Sequence, residues 1–92
     1  MADLDMAKVE LLRKHMMLTA GNMAELIGVS RVTYYGWAKG KPIRQSNIAN
    51  AKDAVRKLLA VVMEHKWPMP EVKGLTQKQR FARLIELLED DE

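Results

Sequence analysis

The chain has 92 residues, with 15 Lys and Arg against 12 Asp and Glu, a net charge of +3 and no cysteine. This length allows one small domain, or one small domain with an oligomerisation element, and the lack of cysteine excludes disulfide bridges and thiolate metal sites. No apolar run approaches the roughly 20 residues that span a bilayer, and the acidic N-terminus lacks the basic start of a signal peptide, so we expect a cytoplasmic protein without membrane contact.

A first helix is predicted over residues 3–16, because apolar side chains recur there at helical spacing. Acidic residues near its start, including Asp3, and basic residues near its end suit the helix dipole. Its inward face is expected to carry Leu4, Ala7, Leu11 and Leu12. Thr19 is a natural N-cap for a second helix over 20–27, and Gly28 suits the positive φ of a turn after it.

A third helix is predicted over 31–39, with Ser30 as its N-cap. Tyr34 and Trp37 lie three residues apart on it, as two core anchors would. Nucleic-acid stacking is the alternative for these two rings, and we favour the core. Gly40 then stops the helix, with Pro42 just beyond it.

The second half of the chain predicts two more helices. Ser46 is expected to cap a long helix over 47–66, whose apolar residues step by three and four over about two heptads. The Trp-Pro-Met-Pro run at 67–70 ends it in an extended or turning segment. Thr76 to Gln79 reads as a capping box for a last helix over 76–89.

The predicted fold is therefore all-α, with about five helices and no strand. Residues 1–45 would form a three-helix core, and residues 46–92 a helical extension within one compact domain. The extension has more apolar surface than a minimal three-helix core requires, so it is expected to oligomerise.

Residues 19–40, TAGNMAELIGVSRVTYYGWAKG, resemble the helix-turn-helix of the lambda-repressor and Cro type, found in small phage and bacterial regulators. The segment 28–37 is close to the GVSRxTxYxW form of those families. The resemblance implies a recognition helix that enters the DNA major groove, most often in a repressor or other transcriptional regulator. The matching residues are Ala24, Gly28, Val29, Ser30, Arg31, Thr33 and Trp37.

In this motif the residues just after the turn enter the groove, which places Arg31, Val32, Tyr35, Gly36 and Lys39 on the outer face. Arg31 would read guanine or contact a phosphate. Val32 would touch a thymine methyl or have no role, and Tyr35 would contact the DNA backbone. Gly36 would allow close approach of DNA or of a helix, or it is merely a weak helix former.

The remaining expected contacts are to phosphates. Thr33 would bond a phosphate or its own backbone one turn back. The start of the second helix would point its amides at a phosphate, while Thr19 also caps it. Lys39, Lys41 and Arg44 would contact the DNA backbone at the far end of the recognition helix. Exposure to solvent is the alternative for Lys52, Arg56 and Lys57 on the fourth helix. The expected DNA-binding set is Thr19, Asn22, Ser30, Arg31, Val32, Thr33, Tyr35, Gly36, Lys39, Lys41 and Arg44.

The charge distribution agrees with this interpretation. Residues 31–57 hold seven basic side chains and one acidic one, a net charge of +6, whereas residues 1–30 and 76–92 sum to −1 and −2. Such a concentration is typical of a phosphate-binding surface. A solvated helix face is the alternative, and beside the motif we favour double-stranded DNA as the partner.

Three other function classes stay open at this stage. Small phage DNA-packaging subunits also join a helix-turn-helix to oligomerising helices, in rings rather than the dimer that we favour for a regulator. Excisionases share the run formed by Trp37, Gly40, Pro42 and Arg44, but they continue into a β wing where this chain is predicted to be helical. A module that binds another protein through the same scaffold is the third.

An enzyme is not expected. Ser30 has no base near it in the pattern, and the glycines form no phosphate-binding loop. The two histidines, His15 and His65, have no partner pattern, so no metal or cofactor is predicted. No pattern indicates a small-molecule effector.

Overall fold

A computed structural model describes residues 4–90 of the chain, in which six helices and no strand occur. The predicted all-α class is confirmed. One helix was not predicted: the single turn α5, which begins at Pro70 inside the run that was expected to be extended or turning. The helices are α1 (Met6–His15), α2 (Ala20–Ile27), α3 (Arg31–Ala38), α4 (Gln45–His65), α5 (Pro70–Lys73) and α6 (Gln77–Asp90).

Two predicted helix starts were wrong. Residue 3 lies outside the described residues, but α1 begins at Met6, because the Asp5 carboxylate accepts the Ala7 N–H at 3.1 Å and caps it. α4 begins at Gln45, with Arg44 in the N-cap position and no side-chain cap. Ser46 therefore lies within the first turn and does not cap the helix.

The other local signals are confirmed. Thr19 and Asn22 form a reciprocal capping box at the start of α2, and the Ser30 hydroxyl accepts the Thr33 N–H at the start of α3. Gly28 and Gly40 have φ values of 98° and 102°, in the left-handed region that favours glycine. Each of these signals acts within a few residues, so local sequence suffices to predict it.

The predicted inward face of α1 was partly wrong: Leu4 and Leu12 pack against the core as expected, but the other two residues do not. Ala7 and Leu11 are exposed, Leu11 by 69%, whereas Val9 and Met16 are buried. The charged Glu10 and Arg13 lie partly buried on the rotated face, where they form a bidentate ion pair. A hydrophobic pattern alone places charged side chains on the exposed side of a helix, so it did not predict the partly buried position of this pair.

The two halves of the chain share one hydrophobic core. The buried residues of α2 and α3, among them Met23 and Trp37, belong to the same cluster as Leu58 of α4 and Leu84 of α6. A buried hydrogen bond of 2.9 Å from the indole N–H of Trp67 to the Met16 carbonyl also joins them. Part of the apolar surface of the extension is therefore used within the chain, and its oligomerisation stays a prediction.

Arg80 organises the turn between α5 and α6, although it is only 6% exposed. Its guanidinium donates to the carbonyls of Val72, Lys73 and Leu75 at 2.8–3.3 Å and to the side-chain oxygen of Gln77 at 2.9 Å. A buried charge is tolerated when its donors are satisfied, and here it also caps the carbonyl end of α5.

Candidate nucleic-acid interface

The inner face of α3 is anchored by two aromatic side chains. Tyr34 and Trp37 are 0% and 4% exposed, and their rings lie 6.3 Å apart at 58°. The Tyr34 hydroxyl donates to the Glu10 carboxylate at 2.5 Å, and Arg13 holds that carboxylate and also the Leu18 carbonyl. The expectation that both rings belong to the core is confirmed, and α3 is fixed to α1 by more than apolar packing.

This network shifts two titrations. The hydrogen bond from Arg13 is the largest cause that lowers the pKa of Glu10, and partial burial opposes it. Burial, followed by the hydrogen bond to Glu10, raises the pKa of Tyr34 well above its usual range. At neutral pH the pair is therefore a carboxylate that accepts from a neutral phenol, which is the protonation state that holds α3 in place.

The outer face of α3 is exposed and has an apolar centre. Val32 is 80% exposed and Tyr35, one turn further on, is 49% exposed. Arg31, Thr33 and Lys39 are exposed around them. The two buried aromatic rings hold α3 from its inner face, so its outer side chains are left exposed to solvent.

Gly36 and Lys41 shape the surface beside this apolar centre. A Cβ on Gly36 would lie 3.1 Å from Cδ of Lys41 and 3.8 Å from its Cβ and Cγ, so the lysine stem runs across α3 where the glycine has no side chain. The close approach at Gly36 is thus made by a neighbouring side chain of the same chain. A shallow hollow of about 390 Å³ results, lined by Val32, Tyr35, Gly36, Lys39 and Lys41.

A second hollow, of about 280 Å³, is also lined by Val32 and reaches α4. Thr33, Lys41 and Arg44 line it together with Asn47, which sequence reasoning missed. The signal that could have identified Asn47 in the sequence is its position in the first turn of α4, just after Lys41 and Arg44.

Arg31 lies against the start of α2. Its Cδ is 3.6 Å from the position that a Cβ on Gly21 would occupy, and the Thr19 hydroxyl oxygen is equally close to that position. The guanidinium stem therefore extends over the first turn of α2, where free backbone N–H groups and the helix dipole attract anions. This conformation favours the phosphate interpretation of Arg31 over base reading.

Two hydroxyls at the start of α3 are linked. The Ser30 hydroxyl donates to the Thr33 hydroxyl oxygen at 2.9 Å while it accepts the Thr33 N–H at 3.1 Å. Ser30 is thus used in capping, and the hydrogen of the Thr33 hydroxyl is left to donate to another acceptor.

Asn22 is held by α6, which sequence reasoning missed. Its side-chain oxygen accepts the Thr19 N–H at 3.1 Å and the Gln77 amide at 2.9 Å, and Gln77 also donates to the Met17 carbonyl. With its oxygen occupied, Asn22 has only its NH₂ group for a ligand. No local signal reveals Gln77, because its partners lie 55 and 60 residues away.

The basic side chains of α4 that pair with a carboxylate differ from those that border the hollows. Arg56 and Lys57 of α4 both pair with Asp53, which lowers the pKa of that carboxyl. Within residues 4–90 no carboxylate pairs with the basic side chains that border the hollows, which are Arg31, Lys39, Lys41 and Arg44. These four side chains carry positive charge that the described part of the chain does not neutralise.

Comparison of the chain with protein-family models, curated proteins and solved structures found no match. Among the described residues, no helix has the length and hydropathy of a membrane-spanning segment. Residues 4–90 also contain no group of three or more His, Asp and Glu side chains placed to hold a metal ion. The geometry of α3 and its surroundings therefore carries the functional argument.

Proposed function

We propose that the chain binds double-stranded DNA by placing α3 in the major groove, and that it acts as a small transcriptional regulator. The observation that carries this proposal is the outer face of α3: an exposed apolar centre with unneutralised cations at both of its ends. An α-helix fits the width of the major groove, and phosphates border that groove on both sides.

The two faces of α3 supply what such binding requires. The Tyr34 and Trp37 anchors fix the helix, so little order has to be created when DNA binds. Arg31 beside the start of α2 suits a phosphate on one side of the groove, and Lys39, Lys41 and Arg44 suit phosphates on the other. Four phosphate contacts per chain predict a logarithmic salt dependence with a slope of about −3.6 for one chain and about −7 for a dimer.

The regulator would act as a dimer, because one recognition helix reads too few base pairs for specific binding. Two copies of α3 would then read half-sites about 34 Å apart. The α4 helix supports a regulator over an excisionase, since residues 45–57 are helical where the β wing of an excisionase would begin.

The first experiment is selection of bound duplexes from random-sequence DNA at two salt concentrations, with the mass of the protein in solution measured alongside. An enriched pseudo-palindrome, steep salt dependence and a dimer mass would support a regulator. Weak, unselective binding by a ring of many subunits would replace it with a packaging role. Absence of binding at low salt would overturn the proposal and leave a protein partner as the ligand of this scaffold.

A further inference from the structure

The proposed function leaves open which feature of the bases the outer face of α3 reads. In the free protein, Arg31 lies along the first turn of α2, and Lys39 and Lys41 stand at the rim of the larger hollow. Near these cations is Val32, which at 80% is the most exposed large hydrophobic side chain among residues 4–90. It lines both hollows.

Val32 has no group that donates or accepts a hydrogen bond, so it cannot read guanine, adenine or cytosine by their polar edges. The apolar feature in the major groove is the C5-methyl group of thymine, and 5-methylcytosine carries the same group at the same place. We infer that α3 selects a 5-methylpyrimidine in each half-site through Val32, an inference that rests on the proposed binding of DNA.

Three features of the surface suit a methyl group. Gly36 contributes no side chain of its own, so the aliphatic stem of Lys41 lies close against α3 at this position. Tyr35, which is 49% exposed, also lines the larger hollow. A methyl group there would contact apolar atoms while the lysine ammonium stays near the phosphates.

The test uses the duplex that the random selection yields. Each thymine is replaced in turn by deoxyuridine, which removes the C5-methyl group and keeps every hydrogen-bonding group of the base. Affinities are measured for the full-length wild type, Val32→Ala and Leu59→Ala, the last being a control at a half-exposed apolar residue of α4.

We expect one thymine per half-site at which uracil weakens the wild type about fourfold, the effect of removing one buried methyl group. Leu59→Ala should show the same loss, and Val32→Ala should bind the two duplexes equally.

The inference is overturned if uracil has no effect at any position, if the loss persists in Val32→Ala, or if the selected half-site contains no thymine. In all three cases DNA binding itself would stand. Failure to select any duplex would instead remove the proposed function together with this inference.

Discussion

The two faces of α3 differ in the burial of their side chains and in the contacts that those side chains make. Tyr34 and Trp37 on the inner face are buried and are held by a hydrogen bond, an ion pair and a shared core. Val32 and Tyr35 on the outer face are exposed, and the cations around them have no partner among residues 4–90. Stability and the proposed DNA binding would therefore depend on different residues of one eight-residue helix.

This division predicts that the two faces can be altered independently. Changes to the inner face should lower the free energy of unfolding, and any loss of binding should follow from unfolding. Changes to the outer face should alter binding at constant stability. The predictions below test that separation from the strongest expected effect to the weakest.

Trp37→Ala is expected to lower the free energy of unfolding by about 3–5 kcal/mol, because it leaves a cavity where a nearly buried indole packs on Tyr34. Urea denaturation followed by circular dichroism measures it. If the variant does not fold, Trp37→Phe should still cost about 0.5–3 kcal/mol. Val32→Ala is the matched outer-face control and should stay within about 0.5 kcal/mol of wild type. A large loss for Val32→Ala would show that the outer face also supports the fold.

The double variant Arg31→Glu and Lys39→Glu should weaken DNA binding by about 100-fold or more, since it replaces two contacts to phosphate with repulsion. Its unfolding free energy should stay close to that of wild type, because both side chains are exposed. Fluorescence anisotropy with a labelled duplex measures the affinity. Lys66→Glu with Lys73→Glu makes the same change in net charge outside residues 31–57, and equal weakening by that pair would mean that net charge alone drives binding.

The Glu10–Tyr34 pair predicts the pH dependence of the inner face. The pKa of Glu10 is lowered on folding, so its contribution to stability is present above the pKa of the unfolded chain and is lost as pH falls through the folded value. The pKa of Tyr34 is raised on folding, so its contribution is full below a pH of about 10 and decreases as pH rises above that unfolded value.

Unfolding free energies measured from acid to alkaline pH, in wild type, Glu10→Gln and Tyr34→Phe, check both directions. Glu10→Gln should flatten the acid side, and Tyr34→Phe should flatten the alkaline side and cost about 1 kcal/mol at neutral pH. Parallel profiles in all three proteins would contradict the role of this pair.

The sequence predicted those parts of the fold and of the candidate site that depend on neighbouring residues. The caps at Thr19 and Ser30, the turn at Gly28 and the inner anchors of α3 all follow from groups within four residues of one another. The face of α1 was only partly predicted, because Glu10 and Arg13 form an ion pair on its partly buried side while Ala7 and Leu11 are exposed. A hydrophobic periodicity does not predict that two charged side chains will pair and so become partly buried.

Contacts between distant residues escaped prediction for a different reason. Gln77 reaches Asn22 across 55 residues, and Trp67 reaches the Met16 carbonyl across 51. These partners are brought together only by the packing of α4 and α6 on the first three helices, so no local pattern records them. The contact between Gly36 and Lys41 was also missed, because it depends on the path of the loop after α3.

Gly36 lies between the two faces and provides the finest test of their separation. Gly36→Ala should raise the unfolding free energy by about 0.5–1 kcal/mol, because alanine suits a helix better and the exposed Lys41 side chain can move from a contact of 3.1 Å. The same movement would change the hollow and weaken DNA binding. Ala38→Gly, on the exposed side of α3, is the matched control: it should lower stability by a similar amount and leave binding unchanged. If affinity instead follows stability in both variants, the hollow beside Val32 has no part in binding, and α3 needs only to be folded.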